Sequence, residues 1–315
     1  MKPLRIVVLG GTGFVGRHTV PRLHADGHRL SVLSRNRDLN RELGVLPRVT
    51  VDNCDVHDRA ALTRRLEGAD AVINLVGILN EQGADGRGFH EAHVALTETL
   101  IAACKAGGVP RILQMSALRA GEGASHYLRT RADAESRVCD SRLAWTIFRP
   151  SVIFGRGDGL FQRFAALLRM TPVLPIARAE AKFAPVHVGD VAEAFARALA
   201  HPHSIGHTYE LVGPRVISLR EIVKWTARLI GKRRWVIGLP DSLGYVQAMV
   251  GEWLPGKPIS RDNFRSLKLD SISEKDGLGE LGIVAMPMEM IVPAMLGADA
   301  RQQRLDRFRE NPHAG

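Results

Sequence analysis

The chain has 315 residues, 45% apolar and 24% charged, with a formal net charge of +10, which leaves room for one large domain or two modest ones and lies outside the disordered, collagen-like and disulfide-rich classes. Its three cysteines, Cys54, Cys104 and Cys139, are far apart with no CxxC pair, which argues against a cysteine zinc site or a disulfide framework and for a reducing, cytoplasmic setting. The arginines are scattered rather than massed in a tail or interleaved with aromatics, so the charge predicts an anionic membrane or an acidic protein as partner and no nucleic acid.

The opening "MKPLRIVVLGGTG" has an apolar run too short for a signal-peptide core and is expected to be a strand. Further β-branched runs follow in "HRLSVLS", "RVTVDN", "DAVINLVG", "RILQMS" and "WTIFRP". Apolar residues at helical spacing fall between them, at Phe14 to His24, Arg59 to Leu66 and Glu91 to Ala106. That alternation predicts an α/β fold, a Rossmann doubly wound parallel sheet covered on both faces.

After Pro150 the pattern loosens. A helix is expected near Gly159 to Arg169, a strand and helix in "KFAPVHVGDVAEAFARALA", a strand in "TYELVG" and a helix near Leu219 to Ile230. The division this predicts is a Rossmann domain over 1–155, to which 182–202 return, and a smaller C-terminal lobe over most of 156–315 for a substrate or partner. Trp225, Trp235 and Trp253 are expected to pack that lobe, the alternative being that one lines a substrate or partner surface. The late segment Ile283 to Leu296 carries Glu289 and two prolines and is too short to span a bilayer.

"VVLGGTGFVGRH" puts Gly10, Gly13 and Gly16 between a strand and a helix, with Thr12, Phe14 and Val15 in the same turn. Glycine there lets a pyrophosphate approach main-chain N–H groups at a helix N-terminus, where the dipole favours anions. The second strand ends in "VLSRNRD", with Ser34, Arg35 and Arg37 where an NAD-binding protein carries an acid. Guanidiniums suit a 2'-phosphate, so NADP(H) is preferred over NAD(H). Asp55 and Val56 follow the third strand, where a carboxylate can meet the adenine amino group, and Leu75, Val76 and Gly77 end the fourth beside the dinucleotide.

The strings "GGTGFVG", "CDVHD", "NLVG", "MSA", "YLRTR", "RPSVIFG" and "VHVGDVAEA" resemble, in this order, the extended and atypical short-chain dehydrogenase/reductase superfamily, which includes epimerase and dehydratase enzymes. "GILNE", "SHYLRT", "RPSVIFGRGDGLFQRFAALLR" and "LPGKPISRDNFRSL" resemble more narrowly the bacterial relatives of the nucleotide-binding accessory subunit of mitochondrial respiratory complex I. The resemblance implies a Ser-Tyr-Lys arrangement in which Tyr exchanges the substrate proton and Lys holds the nicotinamide ribose. By position Ser116 matches the Ser, Tyr127 the Tyr, and Pro150 to Ile153 the segment lining the nicotinamide. The sequence departs twice: Arg131 stands for the Lys, and His93 stands where many extended members have Asn.

A phenol titrates near 10, and a neighbouring cation lowers that by about one to three units. Arg131 can keep the electrostatic half of the Lys role, but a planar fork does not fit the place of a compact ammonium under a ribose. It is expected to reach a phosphate or to pair with Asp133 or Glu135 instead. Tyr127, Arg131 and Ser116 are thus the candidate catalytic residues of a site with weak or absent catalysis. The alternative is an active NADP-dependent reductase, dehydrogenase or nucleotide-sugar epimerase.

His201, His203 and His207 lie close together but without supporting Cys or acid, so no metal is expected. No GxSxG, HExxH or P-loop pattern is present. The expected ligand is a nicotinamide dinucleotide, the small-molecule substrate stays open, and a respiratory complex or the inner-membrane periphery is the expected partner.

Overall fold

The computed structural model describes residues 2–36, 38–254 and 257–297, with only the backbone over 38–41. Among the described residues the strands and α-helices of the first half run β1 Arg5–Leu9, α1 Gly16–Ala25, β2 Arg29–Ser34, β3 Val49–Asn53, α2 Arg59–Leu66, β4 Ala71–Asn74, α3 Arg87–His90, α4 Leu96–Gly107, β5 Arg111–Met115, α5 His126–Cys139 and β6 Ala144–Pro150. The second half runs β7 Ile153–Phe154, α6 Phe161–Met170, β8 Val173–Ala177, β9 Lys182–Phe183, β10 Val186–His187, α7 Val188–Ala200, β11 His207–Leu211, β12 Ile217–Ser218, α8 Leu219–Leu229, β13 Trp235–Leu239, α9 Asp241–Gly251, α10 Arg261–Ser266 and α11 Gly277–Glu280.

Seven strands form one parallel sheet in the order β11-β6-β5-β4-β1-β2-β3. Period-two alternation explains why β1 is apolar at every position after Arg5: Ile6 and Val8 pack with Val20, Leu23, Val191 and Phe195 of α1 and α7. Val7 and Leu9 face the other way, toward Leu62, Leu66, Leu96, Leu100 and Val138 of α2, α4 and α5. A strand buried on both faces reads as a continuous apolar run, and "IVVL" is one. The sheet is the expected doubly wound one. Its edge strand β11 lies just beyond the 182–202 segment expected to return to the Rossmann domain, and pairs with β6 from His207↔Thr146 to Leu211↔Pro150.

The smaller lobe is built on α6, α8 and the parallel pair β8–β13, around Phe161, Ile222, Val223 and Leu168. Of the tryptophans expected inside it, Trp225 packs edge-on against Phe161 at 5.8 Å. Trp235 and Trp253 do not: they are 75% and 86% exposed. The physical reason is strand and helix phase, because Val236 takes the inward position of β13 and the small residues of α9 take the inward face that would otherwise draw Trp253 along.

Candidate functional site

The site forms where β1, β4 and β5 end, at the carboxyl edge where open α/β sheets bind ligands. Gly10 leaves β1 with φ +73, and a Cβ on it would meet the Leu75 carbonyl carbon and the Val76 nitrogen at 2.9 Å. A Cβ on Gly13 would stand 3.2 Å from the Gly10 oxygen, and one on Gly16 would overlap the Gly11 backbone. Gly10 and Gly16 are therefore required by close approach, Gly13 leaves little room for a side chain, and Gly13 N–H closes the turn on the Gly10 carbonyl at 3.0 Å. The result is a concave main-chain cradle leading into α1, a shape that suits a pyrophosphate.

Around this cradle, Phe14 stacks edge-on with His18, whose Nε2 lies 3.1 Å from the Arg156 carbonyl. Arg17 donates to the Thr12 carbonyl and pairs with Glu42. Val15 packs against the apolar cluster under the sheet. The loop entering α6 is braced by Asp158, 2% exposed, which accepts from Gly155 and Phe161 N–H; burial pushes its carboxyl above the usual carboxylate range.

At the end of β2, Ser34 turns its hydroxyl onto the Asn36 backbone, and Arg35 is exposed beside it. Arg37, the third residue of that expected set, lies outside the described residues. Asp55 is exposed with Oδ1 accepting from His57 N–H at 3.0 Å, while Val56 leans on the apolar cluster below. Leu75, Val76 and Gly77 follow β4 directly, and Val76 N–H donates to Oδ1 of the buried Asn74. Pro150 is buried at the end of β6 with its carbonyl accepting from Leu118, and Ile153 pairs with Val186 in the short β7–β10 ribbon.

Tyr127 and Arg131 sit one turn apart on α5. The Arg131 guanidinium is 5.4 Å from the Tyr127 ring centroid. It reaches neither Asp133 nor Glu135 as expected: Asp133 is exposed, and Glu135 is bound by Arg149. Its Nη1 instead donates to the Met115 carbonyl at 3.0 Å and the Val76 carbonyl at 3.3 Å, so one buried fork ties the ends of β4 and β5. Gly77 makes this arrangement possible, because any Cβ there would overlap Nη2. Two buried polar atoms at this point, Arg131 Nε and Ser116 Oγ, have no hydrogen-bond partner among the described residues. Buried polar atoms left without a partner call for an explanation, and the Ser116 hydroxyl beside the ends of β4 and β5 is compatible with a ligand hydroxyl such as a ribose there.

His93 explains how an imidazole replaces Asn. Glu91–Ala95 forms a π-helical turn before α4, a distortion that re-aims side chains at functional sites. His93 Nε2 accepts from Ile78 N–H at 3.3 Å, and Nδ1 lies 2.9 Å from the Thr130 hydroxyl. Burial, with Arg131 nearby as a lesser cause, lowers its pKa to about 2. The ring is neutral and fixes the 77–78 loop to α5, and it meets Tyr127 edge-on at 5.6 Å.

Several supporting residues carried no signal in the sequence. Asp262, 7% exposed and on α10 of the far lobe, accepts from His126 N–H, Tyr127 N–H and the Ser125 hydroxyl. A carboxylate at a helix N-terminus satisfies orphan donors and complements the dipole, so the second lobe sets the pose of the tyrosine helix. Glu81 likewise caps α3 through Gly86 and Gly88 N–H, and Lys257 clamps the Glu81 and Gln82 carbonyls.

Residues 10–202 match the family described as NAD(P)H-binding. The chain is 31% identical over 84% of its length to the Arabidopsis thaliana mitochondrial "NADH dehydrogenase [ubiquinone] 1 alpha subcomplex subunit 9", covering 68% of that protein. It is 30% identical over 79% of its length to "Ceramide reductase" of Caulobacter vibrioides, covering 78% of it. Among solved structures, an Escherichia coli NADPH-dependent quinone oxidoreductase complexed with NADPH superposes with a TM-score of 0.73 at 22% identity, over 90% of this chain and 96% of that one.

Proposed function

The chain belongs to the NAD(P)H-binding family of the short-chain dehydrogenase/reductase superfamily, and from that membership we propose that it binds NADP(H) as a tightly held structural or redox-sensing ligand, with weak or absent catalysis. The observation that carries this reading is the engagement of Arg131 Nη1 by two main-chain carbonyls. A lysine here would be free to swing toward the ribose, whereas this guanidinium is anchored to the sheet. The nucleotide, when bound, supplies hydride chemistry. The chain's own residues supply a glycine cradle for the pyrophosphate, Ser34, Arg35 and Arg37 for a 2'-phosphate, and a neutral His93 bracing the tyrosine helix.

The relatives support the setting as well. A respiratory complex or the inner-membrane periphery is the proposed partner; the Arabidopsis relative is named as a subunit of a mitochondrial NADH dehydrogenase. Among the described residues no helix is long and apolar enough to cross a membrane.

A second reading is an active NADP-dependent reductase in which Tyr127 gives its phenolic proton to a substrate carbonyl oxygen. Two observations favour it: the cation beside the Tyr127 ring is retained, and the Caulobacter relative is named a reductase. Turnover separates the two. Purified protein with NADPH and a panel of ketone and nucleotide-sugar substrates is expected to show at most slow oxidation, little changed by Tyr127→Phe. Fast turnover abolished by that substitution would establish the enzyme reading and end the structural one.

A further inference from the structure

Helix α9 is turned inside out for a helix in water. Its buried positions are Gly244, Ala248 and Gly251, and they press close: a Cβ on Gly244 would come 2.9 Å from the Phe264 ring and one on Gly251 2.6 Å from the Ile259 carbonyl. The large apolar side chains face outward instead, with Leu243 54%, Val246 47%, Val250 53% and, just beyond the helix, Trp253 86% exposed. A surface helix ordinarily buries its large apolar stripe and exposes the rest. Small residues inward and bulky apolar residues outward is the arrangement of helices whose outer solvent is hydrocarbon.

The apolar face does not stop at the helix. Gln247 lies along the edge of β8, accepting from Ala177 N–H at 2.9 Å and donating to the Pro175 carbonyl at 2.8 Å. That contact sets α9 beside the β8–β13 pair, whose outward positions are Val173, Ile237 and Trp235. Exposed apolar side chains gathered on packed elements, α9 and the β8–β13 pair, are the kind of surface that marks an interaction site.

Charge tells what covers it. Lys232 and Arg233, three and two residues before Trp235, are exposed. The carboxylates near the face are ion-paired: Asp241 with Arg178, Glu252 with Arg261, and Glu180 with Arg220. Together with a net charge of +10, this suits a polyanionic surface. Tryptophans prefer the boundary between headgroups and acyl chains.

We propose that the α9 face, with Trp253 and Trp235, docks this chain on an anionic lipid bilayer, α9 lying in the interface and Lys232 and Arg233 on lipid phosphates. Such binding is monotopic and needs no spanning helix. It deepens the membrane-periphery reading given above, on which it rests, and does not depend on the nucleotide.

The test is co-sedimentation of the purified chain with vesicles of phosphatidylcholine alone and of phosphatidylcholine with phosphatidylglycerol. Binding to the anionic vesicles only, weakened by salt, is expected. Replacing exposed apolar anchors in the double variant Trp253→Ser, Val250→Ser should weaken it about tenfold or more, and Lys232→Glu with Arg233→Glu should abolish the preference for phosphatidylglycerol. NADPH affinity is measured on the same variants and is expected to be unchanged, which shows they are folded and keeps this test separate from the nucleotide reading. Failure to sediment with either vesicle, equal binding to both, or wild-type binding by the variants overturns the proposal. So does a dimer in light scattering that the serine substitutions dissolve, because a second copy would then be what covers the face.

Discussion

Arg131→Lys tests the site most sharply, because stability and activity are expected to move in opposite directions. In the native chain Nη1 bonds the Met115 and Val76 carbonyls at 3.0 and 3.3 Å. An ammonium on a shorter stem keeps the charge but cannot reproduce the fork's contact over Gly77 together with both carbonyls. Losing one charge-assisted hydrogen bond costs about 1.5–3 kcal/mol, which lowers the melting temperature by roughly 3–12 °C at about 2–4 °C per kcal/mol for a large domain. The freed ammonium then meets the ribose, so saturating NADPH should raise the melting temperature of the variant more than that of the wild type, and residual reductase turnover should rise. Differential scanning fluorimetry with and without NADPH, beside a steady-state assay, reads both. An unchanged melting temperature, or lost stability with turnover that also falls, would refute the view of Arg131 as a sheet anchor.

Acidification probes His93. The folded ring stays neutral down to about 2, while an unfolded imidazole takes up its proton near 6.5. Across that window the unfolded state binds the extra proton, so stability rises with pH and falls on acidification, by about 1.4 kcal/mol per unit once the unfolded ring is protonated. His28, whose pKa burial also lowers, contributes in the same direction, so the measured quantity is the difference in slope between wild type and His93→Gln in urea titrations from pH 6 to 4. Equal slopes would show that His93 is charged in the fold. In the cradle, Gly16→Ala places a Cβ against the Gly11 backbone; overpacking of this kind costs about 1–3 kcal/mol, and NADPH affinity should fall with it in a fluorescence titration. Gly44→Ala, where nothing among the described residues lies within 4 Å of the added carbon, should leave both unchanged.

The sheet was legible because its central strands are buried on both faces, and such burial demands unbroken apolar runs like "IVVL" and "AVI" that survive in one dimension. The glycine cradle was legible for a related reason: close main-chain approach admits one residue type, so spacing carries the geometry. What the sequence hid depends on partners far along the chain. Asp262 caps a helix that begins 136 residues earlier. The anchoring of Arg131 turns on Gly77, whose contribution is an absent side chain. The exposure of Trp235 and Trp253 was equally hidden, since α9 is apolar on both faces and its inward side is chosen by the small residues that let Phe264 and Ile259 approach.

We propose nucleotide binding at this edge with a preference for the 2'-phosphate. Its most direct test is the affinity of the purified chain for NADPH and for NADH, each with wild type and Arg35→Ala. NADPH is expected to bind more tightly by about tenfold or more, as one charge-assisted phosphate contact supplies, with that advantage reduced by Arg35→Ala and NADH affinity little changed. Equal affinity for the two nucleotides, or an NADPH affinity indifferent to Arg35→Ala, would contradict it.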